Sequence, residues 1–422
     1  MTPLYAVSKK LKKKDYIFLF TSVVYIVWLT FPLASYYFPI TSGVINAFVF
    51  ATIIVFYPKA FVNRAFFWVV VYLVVLFLYV LIGKVIPVGG GDFIGTRRFV
   101  IEAAFVLPAA AIINVLLLSR NLQLYKMIAL SAIISLAISF IIIIPLLFIN
   151  ENLLRSTVEG ENIVTLPGVP YYTLVHAYAL ILMPLLYLTR CIKGKKSILV
   201  WTFFLLISFV VFSSKVTTIL LVLLISLFWY LINQKSSSRT LAVFTIVSFL
   251  TLFLYVTGVL NLLLDGFAEL FKNDDSYYGK IKAITSTLQN SKGSDTSSVD
   301  DRGNLHYISW NVFFSNPLFG GNGVGGHSGI IDRLGGLGVF GFIPFIMFVF
   351  LYVRYTNMIF HTKFQRRYYF ASVVMVFLLL YEKGLFGQEG WLFFLVLIPS
   401  IMMLGEECVI PVQQTDCDSA VA

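Results

Sequence analysis

Charge is what this sequence has least of. Asp, Glu, Lys and Arg make up 12% of the chain and hydrophobic residues 59%, against roughly 25% and 45–50% in ordinary soluble domains. That gap is too wide for a soluble domain with a merely large core, and it fits a chain whose solvent is mostly hydrocarbon. Cysteine is also scarce. Cys191, Cys408 and Cys417 give neither a disulfide framework nor metal-ligand spacing, and they read as structural or incidental. No carboxylate cluster at metal-ligand spacing, no internal repeat and no separate soluble domain is visible. The first apolar run, from Tyr16, continues through Trp28 and Phe31 without a clear small-residue cleavage site. It therefore reads as an uncleaved signal-anchor and first span rather than a removed leader.

What the chain has instead is a succession of apolar stretches about as long as a bilayer core of about 30 Å requires. We place spans at 16–35, 40–57, 66–87, 99–119, 124–149, 170–189, 198–213, 216–233, 240–264, 337–355, 368–386 and 391–405. The expected fold class is all-α: a polytopic membrane helical bundle of about twelve transmembrane helices, with one large periplasmic loop between helices nine and ten. Residues 1–264 hold nine spans, 265–336 the loop, 337–406 three spans and 407–422 a cytoplasmic tail.

Lys and Arg near span ends favour the cytoplasm. Lys9, Lys10, Lys12, Lys13 and Lys14 open the chain. With alternating spans they share a side with Lys59, Arg64, Arg120, Arg190, Lys193, Lys195, Lys196, Lys235, Arg239, Arg354, Lys363, Arg366 and Arg367. Both termini are expected to be cytoplasmic. The net charge of +11 needs no nucleic acid as partner, because most of the excess flanks spans, where anionic membrane lipid is the natural counterpart.

The loop 265–336 is then outside. Its Ser/Asp/Lys-rich run at 290–301 reads as a solvated flap, and 306–319 is aromatic and amphipathic, suited to a helix on a membrane surface. Between residues 302 and 341 lie Arg302, Trp310, Asn316-Pro317-Leu318-Phe319-Gly320-Gly321-Asn322-Gly323, His327-Ser328, Asp332-Arg333, Gly338 and Gly341. Asn316-Pro317 ends the preceding helix. The run Gly320, Gly321, Gly323, Gly325 and Gly326 is either a flexible connector or a set of backbone N–H groups open to a phosphate. His327, about ten residues before the next expected span, is either a satisfied interfacial residue or a general base, since imidazole titrates near pH 6.5 (about 6.5 unperturbed). Gly338 and Gly341 bare one helix face for close packing.

His327-Ser328, nine residues, Gly338, two residues and Gly341 resemble the His–polar–nine–Gly–two–Gly signature of the O-antigen ligase family and of the related O-antigen and capsule polymerases. The upstream Arg302…Trp310…Pro317-Leu318-Phe319-Gly320 is similar to the stretch that precedes it there. The resemblance implies a glycosyltransferase at the outer face of a bacterial inner membrane that uses no metal or other cofactor. Its donor is a polyprenyl-diphosphate-linked glycan, and its acceptor another glycan or lipid A core. For a polymerase, a chain-length regulator is a further partner. Arg302 would pair with the diphosphate, matching it bidentately at any pH, and His327 would position or deprotonate the acceptor hydroxyl.

Lys215, in Ser213-Ser214-Lys215, stands where family members often carry Arg; it keeps the charge without the planar fork. Arg97, Arg98, Arg155 and Arg333 complete the outward cations, each an interfacial anchor or a diphosphate ligand. Within the spans, Glu102 and His176 read as hydrogen-bonded in the bundle, or as lining a cavity. Polymerase leads ligase, which shares its chemistry. A transporter or flippase is the reading from another class; it would carry paired halves and polar groups near the midplane.

Overall fold

The structure is a computed structural model that describes residues 9–38, 41–83, 96–149, 172–214, 216–233, 259–272, 278–279, 281–282, 285, 298–382 and 387–406. Lys215 and Arg155 lie outside the described residues, as does most of the expected ninth span. The backbones of Arg97, Arg98 and Arg302 are helical, but their side chains are outside the described part.

No strand occurs among the described residues. In chain order the helices are α1 (Lys13–Thr30), α2 (Pro32–Tyr37), α3 (Ser42–Phe56), α4 (Arg64–Leu81), α5 (Thr96–Ser119), α6 (Leu122–Ile149), α7 (Tyr172–Leu180), α8 (Leu182–Cys191), α9 (Lys195–Ser213), α10 (Thr217–Ile232), α11 (Val259–Leu270), α12 (Ser298–Ser315), α13 (Ile331–Ile359), α14 (Lys363–Glu382), α15 (Gln388–Leu392) and α16 (Ile398–Met403). The turn Phe393–Leu397 joins the last two as a π-helical segment, so Gln388–Met403 is one apolar rod. Among the described residues, six helices are long and apolar enough to cross a membrane, and three shorter apolar helices accompany them.

Two rods form the centre. Almost every residue from Leu174 to Leu188 and from Trp391 to Met403 is sealed off. Around them, α1 packs on α6, α4 on α13, α3 on α5, and α8 on α9 and α14. The outer helices are apolar on both faces. On α4, Val69, Tyr72, Leu76 and Tyr79 point inward, while Phe67, Val70, Val74, Phe77, Leu78 and Leu81 are exposed. In water such a helix would aggregate; against hydrocarbon both faces are satisfied. With no hydrophobic force between helices in lipid, polar contacts add specificity. Thr30 and Ser135 share a hydrogen bond of 2.8 Å between α1 and α6, and Ser139 Oγ donates to the Thr30 carbonyl at 2.7 Å.

The two ends of the bundle differ. One end is basic: the Lys9 ammonium donates to the Ser119 carbonyl, Lys59, Arg120, Tyr355 and Ile359 line one cleft, and Arg190 donates to the Tyr230 carbonyl. The other end carries the 316–330 loop. Helix α13 begins at Ile331, earlier than the expected 337, so His327 stands four residues before a helix instead of ten before a span. Helix α11 likewise runs to Leu270, six residues past the expected end of the ninth span at 264.

Candidate functional site

The site grows out of a break in α13. Gly338 has φ 61° and ψ −172°, a conformation essentially confined to glycine, and it splits the helix. A break frees two N–H groups and a carbonyl that cannot stay unpaired in a bundle. The N–H groups of Val339 and Phe340 donate to the carbonyls of Pro317 and Leu318 at 2.9 and 3.0 Å, and Tyr79 Oη donates to the Leu337 carbonyl at 2.8 Å. The Pro317-Leu318 turn is thereby seated in the break. Contact is so close that a Cβ on Gly338 would lie 2.4 Å from the Gly320 nitrogen, and one on Gly320 2.3 Å from the Gly336 carbonyl. Gly338 and Gly320 therefore serve backbone-on-backbone packing. Gly341 abuts Leu337 and Tyr79, as its expected bare face requires.

The glycine run is built in as well. Gly320, Gly321 and Gly325 donate their N–H groups to Asn316 O, Gly335 O and Ser309 Oγ. Those three are spent inside the protein, so at these positions the run is neither a slack connector nor a set of N–H groups open to a phosphate. A Cβ on Gly325 would come within 2.1 Å of the Leu305 carbonyl, so the loop lies flush on α12.

This folding brings together two of the chain's four histidines. His306, on α12, and His327, in the loop, have ring centroids 6.2 Å apart, and His306 meets the Tyr381 ring edge-on at 5.3 Å. The Gly329 N–H donates to Leu380 O at 2.7 Å and ties the loop to the end of α14. Beneath them Ser309 Oγ accepts from Gly325 N–H at 2.9 Å and donates to Asp332 Oδ1 at 2.5 Å. Asp332 is 4% exposed and close enough to His306 to interact electrostatically. His306 Nε2 is buried and has no hydrogen-bond partner among the described residues. Arg302 lies one helical turn before His306 on α12.

Arg333 is placed elsewhere than expected. Because α13 starts at Ile331, Arg333 turns into the bundle and is 1% exposed. Its Nη2 contacts Glu102 Oε1 at 2.9 Å, Nε donates to Tyr72 Oη at 3.3 Å, Nη1 donates to Gly329 O at 2.8 Å, and the guanidinium lies 5.0 Å over the Phe345 ring. Tyr72 Oη donates in turn to Glu102 Oε1 at 3.1 Å. All these contacts are internal, so Arg333 fixes the floor of the site and is not one of its outward cations. Glu102 is hydrogen-bonded in the bundle, the first of the two readings open for it, and His176 is buried in α7.

Sequence reasoning passed over His306, Ser309 and Tyr381, and named Asp332 without giving it a role. A signal for two of them existed: Arg302, His306 and Ser309 fall at i, i+4 and i+7 of a helical stretch and so share a face. Nothing local announces Tyr381, which arrives from α14.

Chemically, the two neighbouring imidazoles are groups able to transfer a proton, and Ser309 and Asp332 form a hydroxyl–carboxylate pair beneath them. Among the described residues no group of three His, Cys, Asp or Glu side chains converges as a metal site. No known family model matches the chain, and no curated protein matches it.

Proposed function

We propose that this chain is a polytopic glycosyltransferase of a bacterial inner membrane, with twelve spans and both termini in the cytoplasm. It polymerises polyprenyl-diphosphate-linked oligosaccharide repeat units at the outer face. The observation that carries the reading is the convergence of His306 and His327, 6.2 Å apart, in a loop whose Pro317-Leu318 turn is locked into the Gly338 break. Residues that resemble the O-antigen polymerase and ligase signature thus belong to one built unit instead of a slack connector.

In this mechanism the acceptor hydroxyl attacks the anomeric carbon of the donor. Its proton passes to the His327 imidazole, with His306 alongside as a second imidazole. The bond from the anomeric carbon to the diphosphate oxygen breaks, and the leaving diphosphate keeps the electron pair. Arg302, one turn from His306, pairs with that charge, and Lys215, Arg97, Arg98 and Arg155 are further outward cations for the same diphosphate. Asp332 and Ser309 hold the mouth in register. A positioned base contributes about 10²–10⁴-fold.

The depth of the polar groups supports an enzyme over a transporter. Glu102 is six residues into α5, about 9 Å along its axis, and Arg333 is in the first turn of α13. Both lie at the end of the bundle that carries the loop, whereas a transport site would sit near the midplane.

The test is glycan display by cells whose own copy is deleted, complemented with wild type, His327→Ala, His306→Ala or Arg302→Ala at matched membrane levels. Loss of product from folded His327→Ala and Arg302→Ala supports the transferase. A single repeat left on the surface lipid then assigns polymerase, and a bare core assigns ligase. Normal glycan from both variants sinks the proposal and favours transport.

A further inference from the structure

At the basic end of the bundle a cleft of about 440 Å³ opens between α10, α13 and α14, lined by Trp229, Phe350, Arg354, Arg366, Arg367 and Phe370 among others. We infer that this cleft is a binding site for an anionic phospholipid of the leaflet facing it, with the phosphate among the three guanidinium groups and an acyl chain along the aromatic wall.

Charge is the first argument. Among the described residues, three arginines and no acidic residue line the cleft, which makes that lining basic. Basic pockets between transmembrane helices are where acidic headgroups dock. Arg366 is oriented for this by its Nε, which donates to the Phe360 carbonyl at 3.1 Å and anchors the guanidinium at the helix end.

The second argument is polarity along the cleft. Phe350 is one turn before Arg354 on α13, and Phe370 is one turn beyond Arg366 on α14, so both aromatic rings lie on the membrane side of the charges. Both are more than half exposed. The gradient runs from cationic at the helix ends to apolar one turn inward, which is the polarity of a phospholipid and not of a free anion.

The third is an unanswered donor. The Trp229 indole N–H is buried and has no hydrogen-bond partner among the described residues, although Trp229 lines the cleft. Indole only donates, so it asks for an acceptor. A phosphate or ester oxygen of the lipid supplies one. The site is independent of glycosyl transfer, and its failure would leave that reading untouched.

Native mass spectrometry of the full-length protein in detergent tests it, with phosphatidylglycerol and phosphatidylcholine offered at equal concentration. Wild type should retain phosphatidylglycerol preferentially. Arg354→Gln, at an exposed position that folding tolerates, should weaken retention about fivefold, a surface cation being worth about 1 kcal/mol toward anionic lipid. Arg354→Gln/Arg366→Gln/Arg367→Gln should abolish the preference, and Lys59→Gln/Arg120→Gln, in the other basic cleft, should leave it intact. An unchanged preference in both Arg variants overturns the inference. So does displacement of the lipid by millimolar inorganic phosphate alone, which would make this a site for a soluble anion.

Discussion

Arg333 and Glu102 are a charge pair sealed from solvent, 1% and 0% exposed, and such a pair is worth more intact than broken. Desolvating two ions costs several kcal/mol each, and their attraction recovers this only while both are present. Removing one partner typically costs about 3–5 kcal/mol, while replacing both by apolar groups is often close to neutral. Glu102→Leu and Arg333→Met should therefore each lower thermal stability in detergent sharply, and the double variant should lose much less than their sum. It will not recover fully, because Arg333 also holds Gly329 O and Tyr72 Oη. Strict additivity of the two losses would show that the pair is not coupled. Another buried carboxyl lies at the basic end, where Glu406 meets His361. Burial raises the Glu406 carboxyl above its usual 4.5, and the His361 contact opposes that only in part. The folded state thus binds the proton more tightly than the unfolded one. The contribution of Glu406 is most favourable below pH 4.5 and falls as pH rises through the folded value. The difference in melting temperature between wild type and Glu406→Gln should accordingly decline on going from pH 4.5 to 7; a difference that grows with pH would contradict the assignment.

At the scale of elements, the break in α13 and the turn seated in it are one device, and its glycines are not equivalent. Gly338→Ala and Gly320→Ala meet both a left-handed backbone, which costs about 1–2 kcal/mol for a residue with a Cβ, and main-chain atoms within 2.6 Å that cannot swing aside. Gly323→Ala and Gly326→Ala pay for φ of 80° and 74° alone, since nothing lies within 4 Å. Limited proteolysis of the 316–330 loop should separate the pairs, with rapid cutting in the first two variants and near-native protection in the second two. Equal protection in all four would mean that the turn does not depend on the break. The spacing of Gly338 and Gly341 was legible in the sequence as a bare helix face, and Gly341 does pack against Tyr79. That Gly338 interrupts the helix was not, because it stands at the start of the apolar run expected from residue 337 and nothing local says that a distant Pro317 carbonyl will receive the Val339 N–H. The same limit hid the fate of Arg333. Its place in the outer loop followed from where hydropathy begins, but the helix starts at Ile331, before the apolar run, and so carries a charged residue inward to Glu102. His306 was within reach through its face shared with Arg302 and Ser309, and Tyr381 depended wholly on tertiary packing.

At the scale of the molecule, hydropathy located the helices well because a bilayer forces every spanning backbone to satisfy itself, which leaves long uniform apolar runs as the readable trace. Helix ends match the expected ones or differ by up to six residues, and starts such as those of α4 and α14 come early because Arg64 and Lys363 can reach polar surroundings. The asymmetry between the ends is the property with most consequence. Lys9, Lys59, Arg120, Arg190, Arg354 and Arg366 belong to the end opposite the His306–His327 mouth. Lys and Arg are retained on the cytoplasmic side, so the mouth should open outward, where a lipid-linked glycan would meet it. Single cysteines in a background with Cys191, Cys408 and Cys417 replaced by serine make this measurable. Asn322→Cys, at an exposed position of the loop, should react with a membrane-impermeant maleimide in intact cells. Lys363→Cys, exposed at the start of α14, should react only after permeabilisation. The reverse pattern would turn the mouth toward the cytoplasm, where the outer-face acceptor never goes. It would remove the proposed chemistry while leaving the helices, the ion pair and the seated turn as they are.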